Sequence, residues 1–408
     1  MPSNPPDGET VPPDGSLPSV ARAAAGTRPL GIYLHVPYCT TRCGYCDFNT
    51  YALSVGAGDG LGAGAGRDSY LTNASAELDL AVRVLGPAAP PVSTVFVGGG
   101  TPTLLPADVL VALLDGVRER FGLAPDAEVT TESNPDSIDD AGLETLAAGG
   151  FTRISFGMQS ADEGVLRVLD RAHTPGRAAG MVARARAAGF AHVSLDLIYG
   201  TPGESTDSWR RTLTTAIDAG PDHLSAYALI VEDGTRLARR IRHGELPMPD
   251  DDDLADKYLL AEELLTGAGF AAYEVSNWAR TPADRCRHNL GYWRGDHWWG
   301  IGPGAHSHVG GVRWWNRRHP AAWAQALAQG RTPAQAREVL SAEQRRVERV
   351  LLELRLADGL PLEVLTDDEH TRVAGFVARG LARVDGGRLV LTLAGRLLAD
   401  GVVRDLLD

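Results

Sequence analysis

Short apolar runs alternate with amphipathic segments between about residue 30 and residue 230 of the chain. The runs have the length and the Val, Ile and Leu content of buried strands, and the segments between them repeat apolar residues with the period of a helix. We predict strands at residues 32–36, 94–97, 128–132, 153–156, 192–198 and 223–229. We predict helices at residues 70–85, 107–121, 141–148, 175–188 and 205–219. Strands that alternate with helices of this length indicate parallel strands joined by right-handed crossovers, an α/β fold.

Residues able to carry chemistry follow the ends of these strands. Three cysteines follow the first strand, a Gly-Gly-Gly-Thr-Pro turn follows the second, and Glu132, Gln159 and Asp196 lie at or near the ends of later strands. A barrel brings the carboxyl ends of its strands to one mouth, whereas an open doubly wound sheet gathers only those near its switch point. The pattern therefore favours a partial (β/α)6 barrel, similar to a TIM barrel, over a doubly wound sheet.

Composition divides the chain into four segments. Residues 1–28 are rich in Pro, Gly, Ser and Ala without a period, which is typical of a disordered tail. The barrel is predicted over residues 29–240, with a Gly/Ala-rich insertion at 54–66 that is typical of a flexible loop. An extension dense in Trp, His and Gly covers residues 241–335. Residues 336–408 contain two helical patterns and then a hairpin with an Asp-Gly-Gly turn, an order that resembles a winged-helix domain of the α+β class.

The charge and the distribution of apolar residues narrow the class of protein. The 408 residues have a formal net charge of −13, which argues against a partner held by bulk attraction to anions. Residues 342–408 hold 12 acidic and 10 basic residues, so the last domain lacks the basic surface of a DNA reader. The first residues have neither the basic nor the apolar region of a secretory signal, and no apolar run is long enough to span a bilayer. We expect a cytoplasmic protein with no transmembrane segment and no nucleic-acid partner.

Three of the four cysteines, Cys39, Cys43 and Cys46, lie in the loop Cys-Thr-Thr-Arg-Cys-Gly-Tyr-Cys. A few clustered cysteines are typical of a metal site in a reducing compartment and not of a disulfide framework. Three thiolates can hold three corners of a cubane iron–sulfur cluster and leave the fourth iron open to a small molecule. The alternative is a zinc site, which needs a fourth ligand such as His35 or Cys286.

The Cys-x3-Cys-x2-Cys spacing resembles the ligand motif of the radical S-adenosylmethionine (SAM) superfamily, and Tyr33 and Tyr45 also match its first-strand pattern. In that superfamily the open iron is chelated by the amino and carboxylate groups of SAM. One electron from the cluster then cleaves the sulfonium to give a 5′-deoxyadenosyl radical. The resemblance implies a [4Fe-4S] cluster on the three cysteines, and an electron donor as partner if SAM is cleaved. It also implies SAM contacts at the positions that match the porphyrin-acting branch: Tyr33, Gly99, Gly100, Thr101, Glu132, Gln159, Arg171 and Asp196.

A further cluster, Cys-Arg-His-Asn-Leu-Gly-Tyr-Trp, occupies residues 286–293. Aromatic stripes are more often core than cofactor site, but imidazole is a heme-iron ligand and flat aromatic rings suit a heme pocket. From His288 onward the cluster resembles the His-Asn-x-x-Tyr-Trp motif of the HemW family of heme chaperones, in which this histidine is implicated in heme binding. This resemblance extends from about residue 30 to the C-terminus and implies a partial six-unit barrel with a C-terminal domain. Cys286 is interpreted as a buried, inert thiol.

The resemblance implies two competing functions. The oxygen-independent coproporphyrinogen oxidases, which the motifs also resemble, carry a fourth cysteine two residues after the third, where this chain has Phe48. Phe48 and the His288 motif favour a chaperone that binds heme, a [4Fe-4S] cluster and SAM and transfers heme to acceptor proteins. The alternative is an oxidase that decarboxylates the propionates of coproporphyrinogen. A metal-stabilised interaction protein without chemistry is a third and less favoured interpretation.

Overall fold

The computed structural model describes residues 7–53, 61–62, 64–171 and 173–408. The first six residues of the predicted tail, and residues 54–60 and 63 of the predicted Gly/Ala insertion, lie outside these ranges. The strands are β1 (Leu30–Val36), β2 (Tyr38–Cys39), β3 (Tyr51–Ala52), β4 (Val92–Gly99), β5 (Leu123–Ser133), β6 (Arg153–Gln159), β7 (His192–Tyr199), β8 (His223–Ala228), β9 (Ala271–Ala272), β10 (Asn277–Ala279), β11 (His297–Ile301), β12 (His306–Val309), β13 (Val312–Asn316), β14 (Ala334–Val339), β15 (Leu360–Pro361), β16 (Ala382–Asp385) and β17 (Arg388–Leu391). The helices are α1 (Ser19–Ala24), α2 (Arg67–Leu85), α3 (Ala107–Phe121), α4 (Asp140–Gly149), α5 (Glu163–Val168), α6 (Arg177–Ala188), α7 (Thr206–Asp218), α8 (Arg236–Arg242), α9 (Asp251–Gly267), α10 (Arg287–Arg294), α11 (Pro320–Ala328), α12 (Ala342–Glu353), α13 (Asp367–Ala378), α14 (Leu393–Leu397) and α15 (Ala399–Leu407).

The main sheet of the described chain has the strand order β14-β13-β12-β11-β1-β4-β5-β6-β7-β8-β10-β9. Its six central strands, β1, β4, β5, β6, β7 and β8, pair in parallel and follow one another in chain order. Each crossover therefore moves the chain one strand further in the same direction, without a switch point. This is the winding of a barrel and not of a doubly wound sheet. The six predicted strands and the partial-barrel fold class are confirmed.

The pleat of the central strands separates apolar from polar side chains. On β7, Val193, Leu195 and Leu197 join the main apolar core, while Ser194 and Asp196 point to the barrel interior and line a cavity there. Successive residues of a strand face opposite sides, so the other central strands show the same alternation. TIM barrels usually fill their interior with branched apolar side chains. The polar lining in this barrel instead leaves a cavity of about 600 Å³.

The helices between these strands agree with the apolar periodicity of the sequence. The predicted helices correspond to α2, α3, α4, α6 and α7. The short helix α5 was not predicted, although its start carries a normal signal. The carboxylate of Asp162 accepts hydrogen bonds from the backbone N–H groups of Gly164 and Val165 and so caps the helix. Among the described residues, no helix combines the length and the apolar character needed to cross a bilayer.

The segment after β8 extends the sheet at both sides of the barrel. β10 pairs antiparallel with β8, and β11 pairs in parallel with β1. β12, β13 and β14 continue outward from β11 as antiparallel strands. Between these additions, α10 packs against β4 and against α12. The segment predicted as an extension, residues 241–335, therefore adds strands at both margins of the barrel sheet. Its helix α10 packs against the barrel strand β4.

The C-terminal domain has its own apolar core around Val350, Leu360, Phe376 and Leu389. α12 and α13 precede a hairpin of β16 and β17, to which β15 adds a third strand. Gly386 and Gly387 have φ of 55° and 76°, as the tight turn of the predicted Asp-Gly-Gly hairpin requires. The helix–helix–hairpin order is confirmed, and α14 and α15 follow it.

Residues 7–28 differ from the disordered tail that their composition predicts. The backbone N–H of Glu9 donates to the O of Arg337 on β14 at 2.8 Å, and the N–H of Arg337 donates back to the O of Glu9 at 3.0 Å. Leu17 and Ala21 are buried in the main core, and Ala21 lies on α1. The segment therefore docks on the outer edge of the sheet. Composition does not reveal this docking because Arg337, the partner of Glu9, lies 328 positions away in the chain.

Candidate functional site

The cavity inside the barrel extends from the cysteine loop to α10 and has a volume of about 600 Å³. Cofactor and ligand sites commonly fall between about 300 and 1,000 Å³. All the residues for which the sequence predicted a site role line it: Tyr33, Cys39, Cys43, Cys46, Gly99, Gly100, Thr101, Glu132, Gln159, Arg171, Asp196 and His288. The fold thus brings residues of the barrel and of the extension around one space.

The three clustered thiols border this cavity beside a buried guanidinium group. Burial raises the pKa of the Cys39 thiol to about 11 and also raises the pKa of Cys46. Such thiols lose their protons when a metal binds them, because a coordinating thiol is deprotonated outright. Nη1 of Arg171 lies 3.7 Å from Sγ of Cys43, and Nε of Arg171 is buried without a hydrogen-bond partner in the described chain. A cation beside three thiols, with donor capacity to spare, fits an anionic thiolate-ligated cluster that carries a further ligand.

A glycine fixes the loop that carries the cysteines. The N–H of Gly44 donates to the O of Leu169 at 3.0 Å, and the O of Gly44 accepts from the N–H of Leu237 at 2.8 Å. A Cβ at position 44 would come within 2.5 Å of Oδ2 of Asp170. The missing side chain at position 44 leaves room for this carboxylate. These two backbone hydrogen bonds therefore fix the cysteine loop between the end of α5 and the start of α8.

The two candidates for a fourth zinc ligand have other partners. Nε2 of His35 lies 2.9 Å from the O of Asn49, so it carries the proton, and Nδ1 accepts from the hydroxyl of Tyr33 at 2.9 Å. Sγ of Cys286 donates to Oε1 of Glu128 at 3.6 Å, and burial, with the charge of Glu128, raises its pKa to about 12. Within the described ranges, no group of three or more His, Cys, Asp or Glu side chains is arranged to hold a single metal ion. Both candidates for the fourth zinc ligand are therefore held by partners other than the three clustered cysteines.

The glycine turn after β4 lies directly against the thiol and carboxyl groups. A Cβ at Gly98 would be 2.9 Å from Oε2 of Glu132, and a Cβ at Gly100 would be 2.9 Å from Sγ of Cys39. Gly99 has φ of 116°, which residues with a Cβ rarely adopt. The turn is therefore restricted to glycine by its neighbours and by its backbone. Such a bare backbone allows a ligand to approach closely.

Two carboxyl groups face the cavity beyond this turn. Oε2 of Glu132 accepts from the N–H of Gly99 at 3.0 Å, and the hydroxyl of Ser155 lies 3.0 and 2.9 Å from the two oxygens of Asp196. Burial, together with the charge of Asp196, raises the pKa of Glu132 to about 7, and burial also raises the pKa of Asp196. Carboxyl oxygens in a cavity wall are acceptors for hydroxyl groups of a ligand, such as those of a ribose.

A local irregularity in β6 sets the positions of Gln159 and Arg171, two further residues with a predicted site role. The pairing of β6 with β7 shifts register between Gly157 and Gln159, and bulges of this kind often redirect side chains near sites. Gln159 has φ of 62°, a strained value for a residue with a Cβ. Nη2 of Arg171 donates to the O of Gly157 at 3.1 Å, and a Cβ at position 157 would be 2.6 Å from that nitrogen. The bulge therefore makes room for the guanidinium beside the cysteine loop.

The helix α10 closes the opposite end of the cavity with His288 and Tyr292, which lie one turn apart. Nε2 of His288 is 2.8 Å from the hydroxyl of Tyr292, and Nδ1 is 2.8 Å from Oγ1 of Thr94. The ring stacks on Phe96 with 5.3 Å between centroids. Burial lowers the pKa of His288 to about 4, so the imidazole is neutral near pH 7. A neutral imidazole is the form that binds a metal.

The other residues of this motif hold the helix in place. The N–H of His288 donates to Oε1 of Glu128 at 3.0 Å, and Nδ2 of Asn289 donates to Oε1 of Glu274 at 3.3 Å. Trp293 packs on a small apolar cluster on another side of the helix. Asn289 also lines the cavity, so the motif presents three residues to it, while Asn289 and Trp293 fix the orientation of α10.

The two ends of the cavity correspond to the two ends of the barrel strands. The cysteine loop follows the carboxyl end of β1, whereas His288 contacts Thr94 near the amino end of β4. The sequence pattern predicted that the cysteine loop lies at the carboxyl ends of the strands, but it did not predict where His288 lies. It also missed Glu128 and Ser155, although the alternation Glu-Val-Thr-Thr-Glu along β5 is a signal for side chains that share one face.

Residues 33–216 match the family model of the Radical SAM superfamily. A heme chaperone HemW from Mycobacterium tuberculosis is 55% identical over 93% of this chain and 95% of its own length. A heme chaperone HemW from Escherichia coli is 39% identical over 69% of this chain and 70% of its own length. The solved structure of the radical SAM enzyme coproporphyrinogen III oxidase HemN from Escherichia coli matches with a TM-score of 0.80 and 25% identity, covering 95% of this chain and 92% of that one.

A parallel partial barrel with a Cys-x3-Cys-x2-Cys loop after its first strand defines a radical SAM protein. The oxidase shares the whole fold, including the C-terminal domain, but is less similar in sequence than the two chaperones. Within the superfamily, this chain belongs to the HemW family of heme chaperones.

Proposed function

We propose that this protein binds heme, a [4Fe-4S] cluster and SAM, and that it transfers heme to acceptor proteins. The main support is the position of His288, the histidine of the family motif, which presents a neutral imidazole to the same cavity as the three cysteines. The 55% identity to a named heme chaperone over nearly the whole chain supports the same function.

Each proposed cofactor contact follows from the chemistry of the cavity wall. Cys39, Cys43 and Cys46 would hold the cluster, and the guanidinium of Arg171 would bind a carboxylate beside them. When bound, the cluster and SAM supply one-electron chemistry at the sulfonium. The bare backbone of the glycine turn suits an ammonium group, and Glu132 and Asp196 suit ribose hydroxyls. An electron donor is needed as a partner only if SAM is cleaved.

The alternative is an oxidase that acts on coproporphyrinogen, and the fold shared with HemN is the observation that favours it. Phe48 argues in the other direction. This side chain is 58% exposed and lines the cavity mouth at the position where the oxidases carry their fourth cysteine. An apolar ring there suits a hydrophobic ligand or partner and not a further metal contact.

Heme binding tests the proposal directly. Reconstituted protein is titrated with hemin anaerobically while the Soret band is recorded, for wild type and His288→Ala. The matched control is His308→Ala, another buried histidine, which lies on β12 and contacts the O of Asp296 between α10 and β11. We expect the Soret shift with wild type and with the control, and its loss with His288→Ala. Equal binding by His288→Ala would contradict the proposal.

The cluster and the oxidase alternative need two further measurements. Cys43→Ala is expected to remove the brown absorbance near 400 nm (roughly the thiolate–iron region) and the iron content. Incubation of the reconstituted protein with coproporphyrinogen, SAM and a reductant is expected to leave the substrate unchanged. Conversion to protoporphyrinogen would favour the oxidase instead.

A further inference from the structure

The two nitrogens of the His288 ring have very different surroundings. The Nδ1 edge is closed, since Nδ1 is bonded to Thr94 at 2.8 Å and the ring packs against the backbone of β1. A Cβ at Gly31 on that strand would lie only 3.1 Å from Cε1 and 3.2 Å from Nδ1. No ligand larger than a hydrogen-bond partner fits on this side. An iron atom can therefore reach His288 only through Nε2.

Nε2, however, is covered by a side chain of the same helix. The hydroxyl of Tyr292 lies 2.8 Å from it, with the two rings at 82° and their centroids 4.9 Å apart. This pairing follows from the motif itself, because residues four apart on a helix are neighbours. The hydroxyl thus occupies the position beside Nε2 that an iron ligated by this nitrogen would require.

Tyr292 also separates two cavities. It lines the barrel cavity of about 600 Å³ and a second cavity of about 170 Å³ beneath the amino ends of β1 and β4. His288 borders both cavities too. The phenol ring is only half-buried and meets Trp298 edge-on, with centroids 4.8 Å apart. A rotation of this side chain away from His288 would uncover Nε2, and the smaller cavity borders the ring on its other side.

We propose that Tyr292 is the gate of the heme site: its hydroxyl holds Nε2 of His288 until the ring swings aside and iron takes its place. This inference rests on the proposed heme function and adds the nitrogen that binds and the residue that controls access. Nδ1–H then donates to Oγ1 of Thr94, which fixes the tautomer and orients the ring, as partners of metal-bound histidines usually do. Tyr292 is a positioning residue in this scheme, because it acts through His288.

The gate predicts a characteristic change in binding kinetics. Hemin is mixed with the reconstituted protein in a stopped-flow instrument, and the Soret change is followed for wild type and Tyr292→Phe. The wild-type rate should level off at high hemin concentration, because opening then limits binding, whereas the Tyr292→Phe rate should keep rising. Removal of one competing hydrogen bond should also tighten binding about two- to tenfold.

Tyr258→Phe is a control, because this buried tyrosine of α9 lines neither of the two cavities beside His288. It should behave as wild type in both measurements. The double variant His288→Ala/Tyr292→Phe should bind no better than His288→Ala, since the gate has no role without its histidine. Thermal unfolding of each variant confirms that the compared proteins are folded.

The possible failures are distinguishable. If Tyr292→Phe binds hemin as wild type does, or more weakly, while His288→Ala loses binding, the gate is refuted and the heme function stands. If His288→Ala binds as well as wild type, the proposed function fails and the gate with it. Faster and tighter binding by Tyr292→Phe that disappears in the double variant supports the gate.

Discussion

Arg171 directs Nη1 at Sγ of Cys43 across 3.7 Å, although the two residues are 128 positions apart in the chain. The contact joins the loop after β1 to the segment after α5, and it places a fixed positive charge beside the proposed cluster. We expect Arg171→Met to retain the cluster but to weaken SAM binding at least about tenfold, because a charge-assisted bond to the carboxylate of SAM is lost. Calorimetric titration of reconstituted protein measures the affinity. Arg167→Met, an exposed arginine on α5, is the control and should bind SAM as wild type does.

Gly100→Ala should prevent cluster assembly. The added Cβ would lie 2.5 Å from the O of Tyr38 and 2.9 Å from Sγ of Cys39, so either the turn or the thiol must move. Iron analysis and absorbance after reconstitution measure the loss. Gly180→Ala inside α6 is the matched control, because nothing lies within 4 Å of its new Cβ. That variant should keep its cluster and gain about 0.5–1 kcal/mol of stability. Normal iron content in Gly100→Ala would show that the turn does not set the thiol position.

Glu132 should make the stability of the cofactor-free protein depend on pH. Its pKa is raised from 4.5 to about 7 in the folded protein, so the folded state binds the additional proton between these values. The free energy of unfolding therefore falls as pH rises through this window. The free energy of unfolding of Glu132→Gln should equal that of wild type near pH 4 and exceed it by about 3 kcal/mol at pH 8. Urea unfolding at both pH values measures the difference in stability between variant and wild type. The control Glu144→Gln, on the surface of α4, should unfold with the same free energy as wild type at both pH values. Glu77 and Glu204 have pKa values raised in the same way, so the comparison is between variants and not of one profile alone.

Gly31→Ala should weaken heme binding, although position 31 lies outside the heme motif in the sequence. Its Cβ would meet Oγ1 of Thr94 at 2.9 Å and Cε1 of His288 at 3.1 Å, and so displace the bond that orients the imidazole. We expect about a tenfold loss of hemin affinity, within the range known for partners of metal-bound histidines. The cluster, at the other end of the cavity, should form normally in the same sample. Unchanged hemin affinity would mean that Thr94 does not orient the ring.

The sequence predicted the barrel well because each of its signals is local. The apolar alternation along β7 and the cysteine spacing after β1 depend only on neighbouring residues. The glycine turn and Asp196 could be placed at the barrel mouth once the strands were known. The side-chain contacts of the site residues could not be predicted from such local signals. The contact of Thr94 with His288 joins residues 194 positions apart, and no periodicity encodes it. The docking of residues 7–28 escaped for the same reason, since a weakly apolar segment gains its order only from a distant strand.

β1 pairs with β4 on one side and with β11 on the other. In a barrel of six units alone, the first strand would lie at an open margin, with unpaired amide and carbonyl groups able to recruit another chain. Here β11 of the extension pairs with β1, the strand that leads into the cysteine loop, and so covers that margin. Loss of the proposed cluster should therefore leave the backbone of β1 paired on both sides, and protein stripped of iron in air should stay monodisperse.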